Sequence, residues 1–136
     1  MTRFILFFAT ACALFITACT KETVDTPENC IDGLVVGQYG TFAGTFQPTG
    51  GGDLQTVPDS QTNIKTSSVD CDRVSFTILN TNSITFEANC TQTGDVISGT
   101  SDDSKGTFIY NSASKKMIIT YQETSGKYSI TAVKVL

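Results

Sequence analysis

From Gly37 to the end of the chain, apolar residues recur in short blocks, with no sustained 3.6-residue period. Two blocks alternate cleanly. In one, Val74, Phe76 and Ile78 are separated by Ser75 and Thr77; in the next, Ile84, Phe86, Ala88 and Cys90 are separated by Thr85, Glu87 and Asn89. A period of two places alternate side chains on opposite faces of a strand. Turn residues return every eight to twelve positions, the rhythm of an all-β chain. Eight strands are predicted: Gln38–Gln47, Thr62–Val69, Asp72–Leu79, Ser83–Cys90, Asp95–Thr100, Gly106–Tyr110, Lys116–Gln122 and Lys127–Val135. The turn at Asn80-Thr81-Asn82 makes the third and fourth the clearest hairpin.

Most of the connections are short, so consecutive strands are antiparallel. An eight-stranded up-and-down meander loses its exposed edges by closing into a barrel. The expected fold is therefore a small all-β barrel. A β-sandwich is the alternative, because the connection Gly50–Gln61 is long enough to cross between two sheets. The core draws on Tyr39, Phe42, Phe46, Phe76, Phe86, Phe108, Tyr110, Tyr121 and Tyr128. These aromatics are enough to fill such a barrel, with few left over to line a large cavity.

The N-terminus has a different pattern. Arg3 precedes the apolar run Phe4–Ile16, which is interrupted only by Thr10. The run is too short to span a bilayer and fits a secretory signal. It ends Leu14-Phe15-Ile16-Thr17-Ala18-Cys19, which resembles a bacterial lipobox: aliphatic at −3, small residues at −2 and −1, then cysteine. That resemblance implies cleavage before Cys19 and lipidation of Cys19. The domains expected are a signal peptide over 1–18, a lipidated tether over 19–36 and a barrel over 37–136. Lys21-Glu22 resembles a surface-export signal of Bacteroidota lipoproteins, so the expected location is the cell envelope, anchored to the outer membrane and open to display on the cell surface.

Removing the leader changes the composition. The hydrophobic share falls from 40 % to about a third, and loss of Arg3 moves the net charge from −4 to −5. An acidic chain without a basic run excludes nucleic acid as a partner. The chain has no histidine. This removes the commonest general base and the commonest metal ligand, and no enzyme activity, cofactor or metal is expected. Asp70-x-Asp72 and Asp102-Asp103 read as turn residues, since neither carries a calcium-loop pattern.

Three cysteines remain in the expected barrel and its approach: Cys30, Cys71 and Cys90. An envelope compartment permits one bridge between them. Cys71–Cys90 is expected across the clearest hairpin, with Cys30 bonded to either one, or no bridge at all, as the alternatives. Cys90 shares the face of Ile84 and Phe86, whereas Cys71 is out of phase with Val74 and Phe76. Pairing them would need a bulge near Asp70 to Asp72.

The segment Gly37-Gln38-Tyr39-Gly40-Thr41-Phe42-Ala43-Gly44-Thr45-Phe46 resembles the opening strand of small calycin-like β-barrel lipoproteins of Bacteroidota. So does the later order Ser83–Ala88, Gly94–Gly99, Gly106–Tyr110, Met117–Tyr121 and Tyr128–Ile130. The resemblance covers about residues 35 to 135 and implies a lipid-tethered, lipocalin-like barrel. Ligand-binding lipocalins usually carry a G-x-W near the first strand; here Tyr39 or Phe42 stands in that place. Three functions are expected in order. The first is a non-enzymatic, monomeric envelope lipoprotein acting through its surface on a protein or glycan. The second is a calycin-type carrier of a small hydrophobic ligand, with its pocket near Phe42, Phe46 and Tyr121. The third is a partner-binding module using the loops Gly50–Gln61 and Ser101–Lys105.

Overall fold

A computed structural model describes residues 30–79 and 83–135. The expected signal peptide, Cys19, the expected tether up to residue 29 and the expected turn at residues 80–82 lie outside the described residues.

A short helix α1 (Asp32–Val35) is followed by β1 (Gly37–Pro48), β2 (Gln55–Thr56), β3 (Ser60–Asp70), β4 (Arg73–Ile78), β5 (Ile84–Thr93), β6 (Val96–Ser101), β7 (Gly106–Asn111), β8 (Lys116–Gln122) and β9 (Gly126–Lys134). From β3 to β9 each strand pairs antiparallel with the next, and β1 pairs with both β3 and β9. One continuous sheet of eight strands thus closes into a barrel of calycin-like form. The sandwich is excluded because no second sheet forms among the described residues. The two-residue β2 lies inside the expected connection Gly50–Gln61. It pairs with the far half of β1 at Thr45 and Phe46, where β3 no longer reaches.

Closure requires β1 to bend. Its ladder to β9 shifts between Thr41 and Ala43, and its ladder to β3 shifts between Tyr39 and Thr41. Such a bulge adds one residue and flips the parity of the strand beyond it. Tyr39 and Thr41 are buried before the shift; beyond it Gly44 is buried, and Phe46 pairs with Tyr128 on the inner face. Where the ladder to β3 slips, Asn63 bonds Thr41 through its side chain. Its Oδ1 accepts from Thr41 N at 3.0 Å and its Nδ2 donates to Thr41 Oγ1. Both residues are buried, so these are bonds that water does not replace.

Large side chains occupy the interior. Phe76 stacks on Phe86 at 4.9 Å and touches Phe108 at 4.7 Å. Tyr39 meets Tyr110 edge-on at 5.9 Å. Ile64, Ile78, Ile97, Met117, Ile119 and Ile130 pack among them with no exposure. At the end where β1 begins, Val35 of α1 is also fully buried. Its carbonyl receives the Tyr39 hydroxyl, and the Thr66 hydroxyl at 2.8 Å, which satisfies an acceptor at the helix terminus.

The expected bridge is corrected. Cys30 is bonded to Cys71, with Cα atoms 4.5 Å apart, and Cys90 is a free, buried thiol. Between Ser68 and Asp70 the ladder to β4 does shift, as pairing Cys71 with Cys90 would require. Cys71, however, sits on the turn after β3, and its carbonyl receives Asp32 N at 3.3 Å. Its sulfur meets the N-terminal segment, while Cys90 keeps the inward parity of Ile84, Phe86 and Ala88. Residues 30–36 therefore belong to the domain and not to the tether: they are bonded to the β3–β4 turn and close one end of the barrel.

The bridge closes a loop of sequence separation 41. Loop-closure entropy then assigns it roughly 4 kcal/mol. Denaturant unfolding of the double variant Cys30→Ser/Cys71→Ser should show a loss of about that size; an unchanged midpoint would contradict the placement of α1 as part of the fold.

Candidate functional site at the aromatic mouth

At the end of the barrel opposite α1, four rings meet. Phe46 lies 4.6 Å from Tyr128, Tyr128 pairs with Tyr121 across the β8–β9 hairpin, and Tyr121 stacks on Phe86 at 5.4 Å. Phe46, Tyr121 and Tyr128 are half-buried, and Phe86 is buried. Two glycines make this possible. A Cβ at Gly106 would stand 2.5 Å from the Phe86 ring, and one at Gly126 would stand 2.6 Å from the Phe46 ring. Each inward-facing glycine leaves the space into which a neighbouring ring is laid.

The expected pocket trio is thus separated. Phe46 and Tyr121 come to the same rim, each one strand away from Tyr128. Phe42 does not join them. It sits in the β1 bulge, 47 % exposed on the outer wall, with Lys116 Nζ 5.7 Å from its ring centroid. Phe42 is outward by simple alternation from Tyr39 and Thr41, and the parity switch that follows turns Phe46 inward, so the two rings face opposite ways. The sequence does not single out Phe86 and Tyr128 as site residues. The tight β8–β9 turn is the signal that pairs Tyr128 with Tyr121, but nothing local brings Phe86 to Tyr121.

Tyr121 borders two open concavities. One, of about 310 Å³, is lined with Lys105, Gln122, Glu123, Thr124 and Ser125. The other, of about 220 Å³, is lined with Arg73, Phe86, Glu87, Ser101, Asp102 and Asp103. The second exists because the strands are staggered: Ser101 is the last β6 partner of β5, opposite Ala88, so residues 84–87 pair only with β4. A third concavity, of about 480 Å³, lies along β5, β6 and β7 beside Gly99 and Ile109.

The charges at the second concavity are spent on one another. Arg73 Nη2 lies 2.9 Å from Asp102 Oδ2, and its Nε lies 3.0 Å from Glu87 Oε2 without the alignment of a hydrogen bond. Asn89 Nδ2 donates to Asp102 Oδ1 at 2.9 Å. Asp103 turns the other way: its Oδ1 accepts from the Ser101 hydroxyl at 2.6 Å and from Lys105 N at 3.1 Å. The Ser101 hydroxyl, then the Lys105 amide, hold the Asp103 carboxyl below its usual value. Asp102 and Asp103 therefore pin the β6–β7 loop. They do not converge on a common point where a cation would sit, and among the described residues no group of three or more metal-ligating side chains is present. Exposed pairs of this kind contribute less than about 1 kcal/mol each.

Cys90 is the free thiol of the described residues. Burial, then the carboxylates of Asp32 and Asp72, push it up to about 11. A thiol in that state is a poor nucleophile at neutral pH. No protein-family model, curated protein or solved structure matches the chain. The class that the fold defines is a closed, calycin-like eight-stranded barrel.

The raised thiol has a consequence for stability. Folding favours the protonated form, so its contribution is complete below the unfolded value near 9 and is lost as pH rises toward 11. Cys90→Ala should flatten the fall in stability over that window, measured by denaturant unfolding. Native Cys90 should resist alkylation near pH 8 and react on unfolding. Rapid native labelling would contradict its burial.

Proposed function

We propose that the protein is a lipid-anchored cell-envelope lipoprotein of the Bacteroidota calycin-like type, whose barrel is a non-enzymatic binding module. One observation carries the second half of this reading: the barrel interior is occupied by the protein's own side chains, from Tyr39 and Val35 at one end to Phe86 and Tyr121 at the other. Binding then belongs to the outer wall and the aromatic rim, on a protein or glycan partner. The lipobox ending in Cys19 supports the first half. Attachment through several acyl chains makes anchoring stable where one chain is marginal.

The carrier reading survives only in a restricted form. A small hydrophobic molecule would lie in the concavities beside Tyr121, or would have to part the Phe86–Tyr121 stack. Native mass spectrometry of protein from its own host tests that form: a bound small molecule supports the carrier, and bare protein mass removes it.

Cys19→Ala tests the anchor. The variant should accumulate as unprocessed precursor or as soluble protein, read by membrane fractionation and intact mass. Undiminished membrane association of a processed chain would overturn the lipoprotein reading.

A further inference from the structure

The outer wall is not evenly polar. Phe42 in the β1 bulge, Ile118 on β8 and Ile109 on β7 are 47 %, 46 % and 52 % exposed. Ile109 and Ile118 face each other in register, and Lys116 links them to Phe42 through its place on β8 and its ring contact. Lys115 and Lys134 complete a cluster with Lys116. The Lys134 amide donates to Lys115 O at 2.9 Å, and the Lys134 ammonium donates to Leu34 O at 3.0 Å. The ion pairs among the described residues belong to Arg73 and Lys105, so these three ammoniums have no described carboxylate at pairing distance. In a chain of net charge −4, this concentrates uncompensated positive charge beside an exposed apolar strip.

The position of this face matters as much as its chemistry. Lys134 touches α1, and α1 follows directly on Cys30, which is stapled to the β3–β4 turn. The chain leading back to Cys19 therefore departs from the same end as the lysines. Fully extended, the segment from Cys19 to Cys30 spans at most about 40 Å, which keeps that end near any bilayer holding the lipid.

Resting on the lipoprotein reading above, we propose that the face formed by Phe42, Ile109, Ile118, Lys115 and Lys116, beside Lys134 whose ammonium turns in to Leu34 O and the Tyr39 ring, docks on the anionic surface of the membrane that holds the anchor. Lys115 and Lys116 sit over anionic headgroups, and the three apolar side chains enter the interfacial layer. Juxtamembrane lysines act on such surfaces at about a five-fold gain each. The aromatic mouth, at the opposite end of the barrel, then faces away from the bilayer.

The chain has no tryptophan, so Phe42→Trp provides a single reporter at an exposed site. The full-length processed protein carrying it would be purified from membranes and reconstituted into vesicles of phosphatidylcholine, with and without phosphatidylglycerol, and with brominated lipid as quencher. Docking predicts blue-shifted, quenched emission with phosphatidylglycerol. Lys115→Glu/Lys116→Glu should lower the docked-to-free ratio about tenfold or more with the amount of vesicle-bound protein unchanged. Lys115→Gln/Lys116→Gln, checked for native circular dichroism, should show a smaller loss. Vesicle-bound protein whose indole emission stays that of an aqueous residue in both lipids would overturn the docking while leaving the anchor intact. Protein that fails to bind vesicles at all would overturn both. A blue shift without vesicles that grows with protein concentration would assign the face to a second copy of the chain and overturn the membrane.

Discussion

Strand β1 must present opposite parities to the core at its two ends, and the barrel exists because a buried amide makes that possible. β1 is the seam: it pairs with β3 near its start and with β9 along most of its length. A regular strand over the same residues would carry Tyr39 and Thr41 inward and then turn Phe46 to solvent. The bulge at Phe42, in the ladder to β9, corrects the phase; on the other side of β1 the ladder to β3 slips between Tyr39 and Thr41, and there the Thr41 amide bonds a side chain. Asn63 is buried at the point where β3 also slips, and its side chain meets both the amide and the hydroxyl of Thr41. An unsatisfied buried donor there would cost about 1–3 kcal/mol, a large part of the net stability of a domain this size.

The other properties of the molecule follow from this closure. A closed barrel of eight strands has an interior just wide enough for side chains to fill. Here the aromatics and isoleucines do so, and inward glycines at positions 106 and 126 give two of the rings their room. One end is shut by α1 and the Cys30–Cys71 bridge. The other is shut by the Phe46, Tyr128, Tyr121 and Phe86 rings. On the outside lie shallow concavities beside Tyr121 and an apolar and basic wall around Phe42. The same bulge that seals the seam turns Phe46 inward, while Phe42 stays on that wall.

Much of this was legible in the chain, for identifiable reasons. The alternation through Val74–Ile78 and Ile84–Cys90 marks strands whose one face is buried, and it placed every inward residue of β4 and β5 correctly. The short polar turns told which neighbours pair. Three features were not legible. That Phe42 and Phe46 face opposite ways depends on a bulge between them, and nothing in Thr41-Phe42-Ala43 marks one locally. The partner of Cys71 depends on a turn tip that faces the N-terminal segment, whereas the hairpin pattern pointed to Cys90. Residues 30–36 are too few to show helical periodicity, and their place in the fold comes from long-range contacts of Val35, Tyr39 and Thr66. The rim was half legible: Tyr121 and Tyr128 follow from a tight turn, but Phe86 reaches them only through the stagger of β5 past β6.

The central claim is that the barrel interior is occupied by the protein's own side chains, the observation on which the proposed surface binding rests. Met117 sits at zero exposure on β8, paired with Tyr110 of β7 and Ala132 of β9, and the one other methionine of the chain is Met1. A methyl spectrum of protein labelled at methionine, recorded while a long-chain fatty acid is titrated in, therefore reports on the core through one resonance. The filled barrel predicts that the Met117 resonance keeps its position throughout the titration. A saturable displacement of that resonance would mean that the interior opens to a ligand and would contradict the account.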